Sequence, residues 1–371
     1  MEDEYTPVRE SQFDKLKFEL RDFEMSNPLN YGRMGTYYIA HRKKGNRSVF
    51  IKIFTKSKVI SKKLQDKLLT EVKLYQLLHK NVFFPELKGL SLSDSRYVGY
   101  LFDFFPGGTL TYHLNKLKQF SLEQTKFYSA GIIRALDFLH RNNIIFRDLR
   151  PDNILIDQNG YIKFLDITYV KQLSDTKTTN TLCGKPNYLA PELILSKSYG
   201  KGVDWWAFGI VLYEMLVGKD PFYSNDPMLV YQNIITNNIH FPKIIDKDAK
   251  SLILHLLDSE PKKRFGCLKG GVEDIIEHRL FNDFKWKDFD SFSIEPPIIP
   301  KLNDQLDISY YFTKEEIAKM EEEKEKQKEM ENETKKETRN KPRGKKEAAE
   351  PLLFDPDAQD IEPEQDPFLL W

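Results

Sequence analysis

The sequence lacks most of what a secreted, membrane-bound or nucleic-acid-binding chain would show. Its 371 residues hold two cysteines, Cys183 and Cys267. Two thiols cannot build a disulfide framework, so a reducing compartment is expected. Net charge is absent as well: 56 Lys and Arg balance 56 Asp and Glu. That removes the electrostatic case for nucleic acid or an anionic membrane surface. Long apolar runs are missing, and the longest, such as 205–216, is too short and too interrupted to span a bilayer. The opening MEDEYTPVRE has no basic stretch followed by an apolar one, and residue 2 is Glu rather than the Gly that myristoylation needs. Internal repeats and heptads are also missing. A soluble monomer without a membrane anchor is expected, located in the cytoplasm, with the nucleus left open.

What the chain does have is core material. Hydrophobic residues make up 40% of it and aromatic residues 13%, enough to bury a large core in two lobes. Residues 1–22 read as a polar extension with a weak helical pattern over Phe13–Leu20. Residues 23–104 are strand-rich. Tyr37–Ala40, Val49–Phe54 and Tyr97–Phe105 suit strands, and Leu68, Val72, Tyr75 and Leu78 recur at helical spacing. Residues 105–281 turn helical, with an amphipathic stretch at Leu122–His140 and a very apolar one at Val203–Leu216. Residues 282–371 change character. They pass through an extended PPIIP at 296–300, then a Lys/Glu-rich stretch over 313–347 that is either a solvated helix or unstructured, and end on DPFLLW. The fold class is α+β.

One run carries chemistry on its face. In Phe146-Arg-Asp-Leu-Arg-Pro-Asp-Asn153 a carboxylate is followed five residues on by an amide. The run resembles the protein-kinase catalytic loop, and the resemblance implies phosphoryl transfer, with the carboxylate facing the acceptor hydroxyl and the amide facing a magnesium ion on the phosphates. Further markers follow in order: Asp166-Ile-Thr168, Ala190-Pro-Glu192, Asp204-Trp-Trp and Lys263-Arg-Phe-Gly266. Val49-Phe-Ile-Lys52 and Glu71 precede them. The ordered set resembles the eukaryotic protein kinases over about residues 23–300. Thr181-Leu-Cys-Gly184, Val203-Asp-Trp-Trp-Ala207 and the terminal aromatic-x-x-aromatic Phe368–Trp371 are similar to the AGC group, and within it to the cyclic-AMP-dependent kinases.

The resemblance implies a bilobal kinase fold, with a small β-rich lobe, a large helical lobe and an AGC-type tail. It implies a Ser/Thr kinase using ATP and Mg2+ on protein substrates. Asp148, Arg150 and Asn153 would be catalytic, and Asn153 and Asp166 would ligate magnesium. Gly32, Gly35, Tyr37, Phe50, Lys52, Glu71, Asp103, Phe105 and Leu155 would surround the nucleotide, with Lys52 paired to Glu71. Thr181 would be the activation-loop phosphosite, modified by an upstream kinase and clamped by Arg147, Lys171 and Lys67. Asp152, Glu214 and Lys185 would meet the protein substrate. Glu192 and Arg264 would form a structural ion pair. Phe368 and Trp371 would dock beside the Glu71 helix. A regulatory subunit is a further partner the resemblance suggests.

The departures matter as much. Asn30 replaces one loop glycine, and Thr168 replaces the glycine after Asp166. Tyr37 and Phe50 stand where the family has Val and Ala above the adenine, with Phe102 as a third large ring. Lys185 replaces a Thr, which leaves it to pair with Asp148 or to hold a phosphate. Thr109 and Asn187 replace two acidic substrate-binding positions, so the preference for basic substrates is expected to weaken. Two readings stay open: an active kinase, or a scaffold whose adenine pocket is filled by Tyr37 and Phe50.

Overall fold

The computed structural model describes residues 17–29, 34–45, 47–173, 178–243, 245–304, 307–320, 322, 354, 355 and 357–371. The chain divides into two compact units. The first takes the described residues within 1–77, 86–104 and 302–371; the second takes 78–85 and 105–301.

The first unit is built on an antiparallel sheet of β1 (Phe23–Leu29), β2 (Thr36–Arg42), β3 (Ser48–Thr55), β4 (Gly89–Ser91) and β5 (Tyr97–Asp103). Their order is β1-β2-β3-β5-β4. β3 reads SVFIKIFT, and seven of its eight residues are buried, so both of its faces are covered. The pleat sends Val49, Ile51 and Ile53 to one face. There they join Leu20, Phe23, Tyr38, Ala40 and Tyr97 in an apolar cluster, with Phe354 of the tail packed on it. Phe50, Lys52 and Phe54 go to the other. A short helix, α1 (Lys56–Ser61), and the longer α2 (Gln65–Leu78) follow β3. The helical pattern expected before β1 does not hold over 17–19, and Leu20–Asp22 form a single 3-10 turn. Lys17 bridges Leu90 as extended chain, and Phe18 N–H donates to the Leu90 carbonyl; pairing with β4 outweighs local propensity. Residues 13–16 lie outside the described residues.

The second unit is helical: α3 (Leu110–Leu117), α4 (Leu122–Arg141), α5 (Pro191–Ile194), α6 (Gly202–Val217), α7 (Pro227–Thr236) and α8 (Lys247–Leu256). Short hairpin segments carry the chemistry between α4 and α5. β7 (Ile154–Ile156) pairs with β8 (Ile162–Phe164), and β6 (Ile144–Ile145) pairs with β9 (Lys171–Gln172). Ser121 and Gln124 close a reciprocal capping box that starts α4. The stretch at 282–301 belongs to this unit rather than to a separate tail. Gly160, at φ +93°, turns the β7–β8 hairpin so tightly that a Cβ would run into the Ile298 carbonyl, and Tyr161 donates to Ile294 O at 2.7 Å. From Leu302 on, the described tail belongs to the first unit. No described helix is long and apolar enough to cross a membrane. Of the Lys/Glu-rich stretch, Lys314–Met320 is helical and most of the rest lies outside the described residues.

Candidate active site

In the first unit the site is built on the covered face of β3. Lys52 is fully buried, and its ammonium donates to Glu71 Oε1 of α2 at 2.6 Å. A buried cation needs such a partner, and it also sits 5.1 Å from the Tyr37 ring centre and 5.2 Å from that of Phe54. Strand register puts Tyr37 opposite Lys52 and Phe102 opposite Phe50. Tyr37 is fully buried; its hydroxyl lies 3.3 Å from that of Tyr75, and its ring is 6.5 Å from Phe102. Phe50, also fully buried, packs edge-on against Phe104 at 5.1 Å and Tyr311 of the tail at 5.7 Å. Gly35 has no room for a side chain, since a Cβ would meet the Phe54 ring at 2.8 Å. Gly32 and Asn30 lie outside the described residues. Asp103, expected near the nucleotide, gives its carboxylate to Arg47 at 2.7 Å and Lys88 at 3.6 Å. Lys67 is exposed on α2.

The end of the tail closes this unit. Asp366 caps the terminal turn by accepting from Phe368 N, and its other oxygen takes the ammonium of fully buried Lys56 at 2.5 Å. Lys56 also donates to Leu92 O at 2.7 Å and lies over the Phe368 ring. Phe368 is fully buried, and Trp371, part-buried, meets it edge-on at 5.0 Å. The rings were expected beside the Glu71 helix; the cation over Phe368 is Lys56 of α1, whose ion pair with Asp366 joins residues 310 positions apart.

In the second unit, Asp148, Asn153 and Asp166 are all buried. Asn153 Nδ2 donates to Asp148 O at 2.9 Å and to Asp148 Oδ2 at 2.6 Å. That fixes the amide and turns its oxygen away from Asp148. The Asn153 Oδ1 is buried and has no hydrogen-bond partner. A buried amide oxygen left unmatched costs stability unless a ligand completes it, and an oxygen donor of this kind suits magnesium. Asp166 Oδ1 accepts from Thr168 N at 3.0 Å and Thr168 Oγ1 at 2.7 Å, so the residue in the glycine position braces the carboxylate. Burial pushes the Asp148 carboxyl up, while Arg150 and the Asn153 hydrogen bond pull it down. Leu155, in β7, and Phe105 are buried.

A further residue holds this loop, and the motif alone did not assign it that task. Asp204, fully buried on α6, accepts from Phe146 N at 2.9 Å, Arg147 N at 2.8 Å and His140 Nε2 at 2.8 Å. Arg147 has φ +67°, a strained value for a residue with a side chain, and these bonds hold it there. Its guanidinium donates to Tyr169 O at 2.7 Å and to the Tyr199 hydroxyl at 3.3 Å. Tyr199 in turn donates to the carbonyl of Thr181, whose side chain is exposed. Lys171 does not reach Thr181. It donates to Thr179 Oγ1 at 2.8 Å, because the Thr179–Tyr199 bridge brings that residue to β9 instead.

Lys185 also takes a different partner from the one considered. It lies 3.4 Å from Asp152, not on Asp148, because Arg150 stands between the two acids, 3.3 Å from Asp148 and 2.6 Å from Asp152. Burial opposes the charge on Asp152, yet Lys185, Arg150 and the Thr111 hydroxyl bring its carboxyl below the usual range. Part-buried Glu214 accepts from the Tyr188 hydroxyl at 2.5 Å. Loss of hydration raises its carboxyl to about 7, with the Tyr188 bond opposing. Farther off, Arg264 grips Glu192 with two bonds of 2.7 and 3.0 Å and also donates to the carbonyls of Gly202 and Asp258.

The second unit carries a carboxylate held by an amide whose own oxygen lacks a partner, and the first carries a buried lysine closed on a helix glutamate; phosphoryl transfer uses groups of both kinds. The protein kinase domain family matches residues 23–281.

This chain belongs to the protein kinase family.

Among the proteins it is similar to, the cAMP-dependent protein kinase catalytic subunit of Dictyostelium discoideum is 38% identical over 305 residues, 82% of this kinase chain and 46% of the relative. The mouse cAMP-dependent protein kinase catalytic subunit PRKX is 37% identical over 309 residues, 83% of this chain and 85% of the relative. Human RAC-beta serine/threonine-protein kinase is 33% identical over 308 residues, 82% and 64%. This kinase chain thus spans about half of the first relative and most of the second.

Proposed function

We propose that the chain is a serine/threonine protein kinase of the AGC kind, transferring the γ-phosphate of ATP to protein hydroxyls. The observation that carries this is Asn153, whose side chain orients Asp148 through its nitrogen while its buried oxygen waits for a partner. Magnesium, when bound, would neutralise phosphate charge. Asn153 Oδ1 and the Asp166 carboxylate are the donors for it. Lys52 holds the α- and β-phosphates, kept in place by Glu71. Asp148 orients the acceptor hydroxyl and takes its proton, and burial suits it to that task by raising its carboxyl. Arg150, 3.3 Å from Asp148, limits the rise and offers a cation to the transferring phosphoryl. The names of the relatives, cAMP-dependent and RAC-beta serine/threonine kinases, support the same class.

Phosphorylation of Thr181 by an upstream kinase fits the reading. The Thr181 side chain is exposed, and Arg147 is linked to its carbonyl through Tyr199. A phosphate there would draw Arg147, whereas Lys171 would have to leave Thr179.

A scaffold reading draws on one observation: the fully buried rings of Tyr37 and Phe50. It leaves the Lys52–Glu71 pair and the Asp148–Asn153 brace without a task, so catalysis is the better reading. Calorimetric titration with ATP, with and without magnesium, tests it together with transfer of labelled phosphate to a mixed protein substrate. Magnesium-dependent binding and transfer by wild type, with transfer lost in Asp148→Asn, are expected. No binding by wild type, with binding gained in Phe50→Ala, would overturn it in favour of the scaffold.

A further inference from the structure

Four charged side chains run in sequence across the second unit, starting at Asp148. Arg150 Nε lies 3.3 Å from Asp148 Oδ1, and Arg150 Nη1 lies 2.6 Å from Asp152 Oδ2. Lys185 Nζ lies 3.4 Å from that same oxygen. The other Asp152 oxygen accepts from Thr111 Oγ1 at 2.8 Å. Both oxygens are therefore engaged from within the chain, and the two acids are matched by two cations. The acids nearby are engaged too. Glu214 accepts from Tyr188, and Asp220 accepts from Asn187 Nδ2 at 3.0 Å.

Lys185 differs from Arg150 in exposure. Its side chain is 50% exposed against 17%, so its ammonium faces incoming chain as well as Asp152. It lines one cleft together with Asp148 and Tyr188. Its neighbour Tyr188 offers the face of a ring 5.8 Å from the ammonium, which keeps the cation on that side of the cleft.

We propose that Lys185 is a specificity-determining residue: it occupies Asp152 from within the chain, so the cleft beside Asp148 turns away peptides with Arg or Lys near the acceptor hydroxyl and takes peptides with Glu or Asp there. The inference rests on the kinase reading and names the substrate class for that site. A cationic side chain arriving at Asp152 meets two cations already on it, and like charges at such distances disfavour the wrong partner. Glu214, another acid of this unit, is already engaged by the Tyr188 hydroxyl, and burial raises its carboxyl. An acidic side chain instead gains the exposed ammonium without disturbing Arg150.

Binding tests this without requiring catalysis. Fluorescein-labelled nine-residue peptides with one serine in an alanine and glycine background carry either Arg or Glu, placed in turn within three positions of the serine. Anisotropy reports their affinity for the full chain. The Glu peptides are expected to bind wild type about tenfold tighter than the Arg peptides at the best position. In Lys185→Ala that ratio is expected to fall about tenfold, and in Lys185→Glu to reverse. An exposed Lys197→Ala control should leave it unchanged. Wild type preferring Arg, binding neither set, or keeping its ratio in Lys185→Ala would each overturn the proposal. Selective binding in a chain that transfers no phosphate would count against the kinase reading and not against this one.

Discussion

Lys52 in the first unit and Arg264 in the second are both fully buried cations, and each closes on a glutamate. Their surroundings differ. Arg264 has its fork filled by both Glu192 oxygens and two backbone carbonyls, over the Trp206 ring. Lys52 closes on Glu71 through a bond of 2.6 Å and is walled by aromatic rings. A guanidinium is a rigid fork that holds one arrangement; an ammonium is a compact charge that can swing to a second partner. The difference separates a pair that fixes the fold from a pair that is able to work.

The largest effect is expected where the second unit works rather than where it is only held. Asp148→Asn keeps the shape and removes the proton acceptor, so kcat for phosphate transfer should fall about 10²- to 10⁴-fold, with ATP affinity by calorimetry unchanged. Arg264→Ala comes next. It leaves Glu192 buried without its cation, and urea unfolding should show a loss of about 3–5 kcal/mol. The double change Lys52→Met with Glu71→Met, which puts apolar side chains of similar volume in place of both partners, is the counterpart in the first unit. Removing both partners of a buried pair is near neutral for stability, so its urea midpoint should stay close to that of wild type while transfer is lost. Equal losses of stability in the two variants would break the comparison.

Phe368→Ala probes how much of the first unit depends on the tail. Its ring is fully buried over Lys56, and truncation should cost about 3 kcal/mol in the same unfolding experiment. The smallest effect is the one that depends on pH. Glu214 binds its proton up to about pH 7 in the folded chain, against 4.5 for a free side chain. Between those values the folded state carries more protons than the unfolded one, so stability falls as pH rises through that window. Glu214→Gln still accepts from Tyr188 and removes the charge. The variant should exceed wild type by about 1–3 kcal/mol at pH 8, and the two should converge near pH 4.5, as read from melting temperatures.

Much of this was legible along the chain because the information is local. Within the run from Phe146 to Asn153, the five-residue spacing of Asp148 and Asn153 is local, and it brings the amide onto the carboxylate. The β3 pattern puts Lys52 between Phe50 and Phe54 on one face by pleat alone. What was not legible depended on loop paths. Lys171 was expected at Thr181 and reaches Thr179, because an isolated bridge to Tyr199 sets which threonine faces β9. Lys185 was weighed against Asp148 and meets Asp152, because Arg150 stands between. Asp204 was matched as part of a helix, with nothing in its neighbours to say that it would hold the backbone of a loop 57 and 58 positions away.

The sequence by itself determined which residues carry charge, which strands bury both faces, and the order of the groups that make the chain a kinase. These follow from side-chain chemistry and from periods of two or of about three and a half residues. Only the tertiary structure decided which acid each cation takes. Ion pairs reach across the chain, and a few ångströms of loop path choose between neighbours that the sequence cannot rank.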